Sequence, residues 1–340
     1  MKMFKRRFAT QVLSAPNAVP PVVAELFRRW ALPGQTGAGA LRVAVRDGYL
    51  NLYVGGQSVA KIEASASNGV RVSLHRKYVH GIRKPPNHQI ANQAESKNLS
   101  ERAMVTLRGG ALRPPNAAAS VERWIETAAT YSGDEKLFVE TLVGANANVI
   151  DLEMALPGDD RLLNENGKKV APRMDLVTVV QDTHGKARLN FWEAKCAVNA
   201  ELRAEAEIDI PAKTGAHVAQ QLHKYVEWMG LVGREDEVAA AFREAGSVLL
   251  KLAEIFGKDL ESPACQSWRL LAAGMPSVER RPGIVIANYD PKPGQYGSGD
   301  RNHERAKSFS KHRTRLEKIP TTVVEVASTA APAIILLPLP

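Results

Sequence analysis

Met174-Asp175-Leu176-Val177, then Phe191-Trp192-Glu193-Ala194-Lys195-Cys196, then Gln221-Leu222-His223-Lys224-Tyr225 are the three stretches whose reading decides the fold. The first two are apolar runs of strand length that carry charges where Val, Ile, Leu or Phe would be ordinary. Side chains of a strand alternate between its faces, so Glu193 and Lys195 share one face, and Trp192, Ala194 and Cys196 take the other. Burying a lone carboxylate or ammonium is costly, so both need partners or a metal. If the two strands pair, Asp175 meets Glu193. Two carboxylates with a backbone carbonyl and waters make a hard-oxygen site suited to Mg²⁺ or Mn²⁺. On the helix that follows, Gln221 and Tyr225 are four apart and share a face.

Working outward, the residues around this centre read as a mixed α/β unit. A helix is expected over Ser120–Thr130, with Val121, Trp124, Ile125 and Ala128 on one side. A second, capped by Asp134, runs to Val143. Strands follow at Val149–Leu156, Met174–Gln181 and Ala187–Cys196, then helices at Ala216–Leu231 and Glu235–Phe256. Gly283–Ala287 reads as a late, fully buried strand. Asp151 and Glu153 share a strand face and are read as secondary polar contacts. Asn199 and Arg203, just past the lysine strand, would touch phosphate or simply cap and solvate the chain. Lys224 is a candidate phosphate contact.

Before this unit, a basic arm and a helix from Pro21 to Trp30 precede short alternating segments between Leu41 and Leu74. Their Asp-Gly and Gly-Gly turns describe a small antiparallel β unit. The Pro-, Asn- and Gly-rich stretch between Arg83 and Ala118 reads as linker and variable loop. The basic run His75-Arg76-Lys77 would sit on phosphates or form a solvated turn. Three segments result: 1–118, an arm, helix and β domain with linker; 119–320, the unit built around Asp175, Glu193 and Lys195; and 321–340, an apolar Pro-containing tail. Arg301–Lys318 reads as solvated.

A net charge of +9 over 340 residues favours an anionic partner, nucleic acid ahead of a membrane surface. Cys196 and Cys265 lie far apart without metal-ligand spacing, so no disulfide framework is implied and a reducing cytoplasm is expected. The basic start lacks the apolar stretch of a signal peptide. The C-terminal apolar run is too short, and too interrupted by proline, to span a membrane.

The ordered set Asp175, Glu193-Ala194-Lys195 and Gln221-x-x-x-Tyr225 resembles the PD-(D/E)xK nuclease superfamily, in particular its RecB-like branch with a QxxxY helix. The likeness covers roughly Ser120 to Pro291. It implies a restriction-endonuclease-like core, a mixed sheet flanked by helices, performing Mg²⁺-dependent hydrolysis of phosphodiester bonds in DNA. By that resemblance Asp175 and Glu193 would be metal ligands, with Lys195 positioning and activating water. Gln221 and Tyr225 would steady substrate and site. Such folds also place an acid on the helix before the first strand; Glu135 is the first choice, as a further metal ligand, and Glu140 its rival. Here Asp175 follows Pro172-Arg173-Met174 rather than proline directly.

Two other readings compete. A nuclease-like protein that binds nucleic acid without cutting would be expected to have lost at least one of the three charged residues. A Schiff-base enzyme using Lys195 is disfavoured because neighbouring carboxylates hold that amine protonated. The β unit is read as a targeting or partner-binding module, and a homodimer or a protein partner held through it is among the expectations.

Overall fold

The computed structural model describes residues 3–14, 18–80, 104–164, 166–197, 199–202, 205–207, 214–287 and 321–325. A short α1 (Gln11–Ser14) precedes α2 (Pro21–Arg28), which starts on proline, a residue whose missing N–H costs nothing at the first helical position. Val22, Val23, Leu26 and Phe27 form its buried stripe. β1 (Arg42–Val45), β2 (Tyr49–Val54), β3 (Gln57–Ser65), β4 (Gly69–His75) and β5 (Met104–Arg108) build a five-stranded antiparallel sheet in sequential order. Gly55 and Gly56 turn between β2 and β3 with φ of 50° and 68°, a region that glycine enters without strain. A Cβ on Gly56 would lie 2.8 Å from the Lys136 backbone, so this turn touches the neighbouring unit. The short α3 (Arg76–His80) carries much of the expected basic run, and Lys77 Nζ lies 3.7 Å above the Tyr131 ring rather than in open solvent.

β5 corrects the expected linker. It pairs with β4, and Ser73 and Thr106 share a hydroxyl hydrogen bond. An edge strand this exposed gains little from apolar alternation, so its pattern is faint in the residues alone.

A 3₁₀ turn at Gly109–Leu112 leads to α4 (Ala117–Ala129), capped by the Asn116 side chain. α5 (Asp134–Ala145) follows, and here Gly133 is the N-cap, not Asp134. Asp134 and Glu135 occupy the first turn, where acids complement the positive helix end. Next come β6 (Val149–Ala155), β7 (Arg173–Gln181) and β8 (Ala187–Cys196), then a small hairpin, β9 (Glu205–Glu207) and β10 (Thr214–Ala216). α6 (His217–Gly230), α7 (Arg234–Ile255), α8 (Pro263–Ala272), β11 (Ser277–Val278), β12 (Gly283–Ala287) and β13 (Thr322–Glu325) complete the order. The second sheet runs β13-β12-β8-β7-β6, antiparallel from β6 to β8 and parallel from β8 to β13. The protein is thus α/β, with one antiparallel sheet and a separate mixed sheet flanked by helices.

Three further departures from the sequence reading concern boundaries. β13 places the first residues of the expected tail in the sheet; the rest of that tail and Arg301–Lys318 lie outside the described residues. α8, unforeseen, buries Ala264, Cys265, Trp268 and Leu271. The basic arm is no free arm: Phe4, Phe8 and Leu13 join an apolar core that continues through Trp30 to Phe191, Phe242 and Trp268. Phe27 stacks on Phe256 and Trp30 on Trp268, so residues on either side of position 118 share one core. Among the described residues no helix is long and apolar enough to cross a membrane.

One buried ionic cluster ties these parts together. Asp151 on β6 accepts from Arg6 Nη2 at 2.9 Å and from Arg46 Nη1 at 2.5 Å, and all three side chains are buried. Removing the shared carboxylate strands two guanidiniums in a poorly solvated place. Asp151→Asn is therefore expected to cost about 3–5 kcal/mol. Urea unfolding checks this, and a cost below about 1 kcal/mol would mean the cluster is dispensable.

Candidate active site

Asp175 and Glu193 are brought together by the register of β7 and β8. Leu176 pairs with Trp192, so the next position along sets Asp175 opposite Glu193. The Ala194 N–H donates to Asp175 Oδ2 at 2.7 Å, which clips the two strands together at the site. The apolar neighbours explain why this register holds. Trp192, Ala194 and Cys196 pack with Phe138, Val139 and Leu142 of α5, while Phe191 on the opposite face packs with Tyr225 and Phe242. A one-residue slip would turn both sets to the wrong side.

Glu193 is 1% exposed and Lys195 7% exposed, so their charges must be answered locally. Lys195 Nζ lies 2.7 Å from Glu193 Oε1, 2.9 Å from Glu135 Oε1 and 3.1 Å from Glu201 Oε2. Gln221 Nε2 donates to Glu193 Oε1 at 2.8 Å, and Asn199 donates from its amide to Glu135 Oε2. The other oxygen of Glu193, Oε2, is buried with no hydrogen-bond partner. Burial pushes the Glu193 carboxyl well above its ordinary range and the Asp175 charge adds to this, while Lys195 and Gln221 pull the other way. Burial also pushes Asp175 up to about 7, against the pull of Lys195 and the Ala194 N–H. For Lys195, burial opposes the ammonium, but Glu193, Asp175 and Glu135 outweigh it and raise the pKa above the ordinary lysine value.

The cluster opens on a cavity of about 480 Å³ lined by Tyr131, Glu135, Glu153, Asp175 and Asn199 among others. Glu153 is the residue that the sequence reading underrated. It lies between Leu152 and Met154, whose partners bracket Asp175. Its φ is 51°, a left-handed conformation that costs a non-glycine residue about 1–2 kcal/mol. Arg46 Nη2 takes the carbonyls of Leu152 at 2.6 Å and Glu153 at 3.3 Å, which holds the strained peptide in place. The expected pair of acids divides: Asp151 goes to the arginine cluster, while Glu153, with its left-handed backbone, lines the cavity. The i, i+2 spacing of two acids was the available signal, but a left-handed residue within a strand is not legible in it.

The other candidates divide. Glu135 reaches the site, whereas Glu140 faces away and pairs with Arg42 at 2.7 Å. Gln221 reaches Glu193, but Tyr225 does not join the carboxylates. Its ring is buried beside Phe191 and its hydroxyl donates to the Glu279 carbonyl, so of the two expected roles, steadying substrate and steadying site, its packing bears on the second. Gln221 and Tyr225 thus meet alternate residues of β8, one polar and one aromatic. Lys224 is exposed, His223 faces Glu227, and Arg203 lies outside the described residues. Among the described residues no three acidic, histidine or cysteine side chains converge as a ligand set for one ion. The physical reason is visible: the Lys195 ammonium draws Glu135 and Glu193 to itself.

Comparison of the chain with family models, with characterised proteins and with solved structures gives no significant match.

The raised Asp175 pKa has a testable sign. Its ordinary value is 3.8, so between about pH 4 and 7 the folded protein keeps a proton that the unfolded chain has released. Metal-free stability should therefore fall as pH rises through that window. In EDTA, Asp175→Asn is expected to flatten the pH dependence of urea unfolding and to gain roughly 1 kcal/mol or more at pH 8. Identical slopes for the two proteins would refute the assignment.

Proposed function

We propose that this chain is a Mg²⁺-dependent deoxyribonuclease of the PD-(D/E)xK kind, hydrolysing phosphodiester bonds of DNA in DNA processing or in defence against foreign DNA, in a reducing cytoplasm. The observation that carries the reading is the juxtaposition of Asp175, Glu193 and Lys195 on paired strands, met by Glu135 from the preceding helix. The antiparallel β6-β7-β8 followed by parallel β12, with α5 before and α6 after, supports a restriction-endonuclease-like core. The net charge of +9 is consistent with a polyanionic substrate.

The oxygen chemistry of these acids suits a hard divalent ion, although Lys195 draws Glu135 and Glu193 to itself in this arrangement. Glu193 Oε2 is a buried carboxylate oxygen with no partner, and Asp175 stands opposite it across the strand pair. Asp175 and Glu193 would hold the ion, with Glu135 as the third acid and Mn²⁺ able to substitute. Bound there, the ion would lower the pKa of water and neutralise charge on the scissile phosphate. Lys195 keeps its proton and so acts as a fixed ammonium. It orients water and offsets charge that builds on the phosphate oxygens as the bond breaks. Gln221 fixes the rotamer of Glu193 by its amide bond, and Asn199 does the same for Glu135. Tyr225 acts on the site only by anchoring α6 against Phe191.

A second reading is a nuclease-like protein that binds nucleic acid without cutting. It is favoured by the way Lys195 engages Glu193, Glu135 and Glu201 at once. Circular and linear DNA incubated with Mg²⁺ or Mn²⁺ separate the two. Cleavage should vanish with EDTA, fall about 10²–10³-fold in Lys195→Ala, and fall in Glu135→Gln. Glu140→Gln should lose thermal stability but keep turnover at permissive temperature. DNA binding that ignores EDTA, with no cleavage of either DNA, would establish the silent binder.

A further inference from the structure

A second cavity, of about 510 Å³, adjoins the carboxylate cavity and shares Glu153 and Lys136 with it. Its lining has the opposite charge. Lys5, Arg6, Arg46, Lys136 and Arg173 face it, against the carboxylates of Asp47 and Glu153. Asp47 is already engaged by Arg7 at 2.8 Å. Arg6 and Arg46 are buried and divide one carboxylate, Asp151, between them, so this wall carries a positive charge that no acid of the cluster answers. Arg6 Nε is also buried without a hydrogen-bond partner. Lys136 Nζ is held at the boundary of the two cavities by Gln57 Oε1 at 3.0 Å. Among the described residues, neither Lys5 nor Arg173 forms an ion pair. Of the rings on this lining, Tyr49 is half-buried, while Phe4 and Tyr53 are buried.

Guanidiniums and ammoniums gathered on one concave wall match a phosphate group. We propose that this cavity is a phosphate-binding subsite, which receives a phosphate of the nucleic-acid strand one step away from the bond held at Asp175, Glu193 and Lys195. That the phosphate belongs to a nucleic-acid strand rests on the nuclease reading; that the cavity binds phosphate does not. Placing the subsite beside Glu153 gives the strand a fixed path between a cationic pocket and an acidic one. The phosphate could be a strand's terminal monophosphate or an internal diester, and the two sources are distinguishable.

The test is binding in EDTA, so that no strand is cut. Fluorescence anisotropy would follow a short labelled single-stranded oligonucleotide carrying a 5′-phosphate, a 3′-phosphate or neither, with inorganic phosphate as competitor. The proteins are the wild type, Lys5→Ala, Arg173→Ala, their double variant and Lys195→Ala. Lys5 and Arg173 are chosen because both lie toward solvent, unlike Arg6 and Arg46, and the single variants keep the test readable if the double variant unfolds. Inorganic phosphate should displace the oligonucleotide from the wild type, and affinity should fall roughly tenfold in the double variant. Lys195→Ala should keep the competition. A preference of about tenfold for one phosphorylated end, lost in the double variant, would identify a terminal phosphate. Equal affinity for all three oligonucleotides, with the same loss in the variant, would identify an internal one. Affinities unmoved by Lys5→Ala and Arg173→Ala, with no competition by inorganic phosphate, would overturn the proposal. Phosphate-competed binding here, with no cleavage in the separate Mg²⁺ assay, would instead count against the nuclease reading alone.

Discussion

A glutamate and a lysine buried two residues apart on an interior strand impose the constraint around which the second sheet is arranged. β8 lies between β7 and β12, so neither charge can reach bulk water along its own strand. Each must be answered by side chains from other elements. The answers come from the start of α5, from α6, from the turn after β8 and from β7 itself. Elements distant in sequence are thereby held to a common point, and the cost of a misplaced one is an uncompensated charge in a poorly solvated place. Packing sets the layers, while this polar requirement selects which ends of the layers meet.

The Arg6, Asp151 and Arg46 cluster extends the same logic to the first sheet. Arg46 follows β1, Arg6 belongs to the N-terminal segment, and Asp151 lies on β6. A buried ion pair rarely adds net stability over apolar packing, but it tolerates few alternative arrangements. The consequence for the site is specific: the guanidinium that binds Asp151 also takes the carbonyls of Leu152 and Glu153. The turn at Gly55 and Gly56 presses on α5 beside Lys136, one residue beyond Glu135. The small β sheet therefore sets the site from two directions, through β6 and through α5.

Legibility in the sequence followed the strength of the physical signal. The helices around Val121, Trp124 and Ile125, and the strands carrying Asp175 and Glu193, are strongly patterned by burial, and their type and order could be read. Glu135 could be selected because an acid on a core-facing helix position needs a reason to be there. β5 was hidden because an exposed edge strand draws its place from pairing with β4 rather than from its own residues. α8 was missed although Trp268 and Leu271 have helical spacing, since the stretch is short and follows a long helix. The surroundings of Tyr225 were not legible because four-residue spacing fixes a helical face but not what that face meets: at Gln221 it is a charge, and one turn on it is Phe191. Glu153 was underrated because its orientation depends on a backbone irregularity that no residue type announces.

Charge accounting at the two cavities carries the synthesis one step further. Glu193, Glu135 and Glu201 gather around the ammonium of Lys195, with Asp175 and Glu153 close by. Burial disfavours the ionised forms of Asp175 and Glu193, and repulsion from neighbouring carboxylates adds to this, so both are shifted toward retaining their protons. Protons are the weakest remedy, because each one bound neutralises a group that would otherwise accept hydrogen bonds or ligate a cation. A divalent cation would relieve the same conflict at higher affinity as pH rises, since it competes with those protons for the same oxygens. Across Glu153 and Lys136 the imbalance reverses, with two buried guanidiniums sharing one acid. A fold that maintains opposite uncompensated charges in adjoining cavities pays for that separation in stability. A polyanion lying across both cavities, with a cation at its acidic end, would be the arrangement in which both charges are answered together.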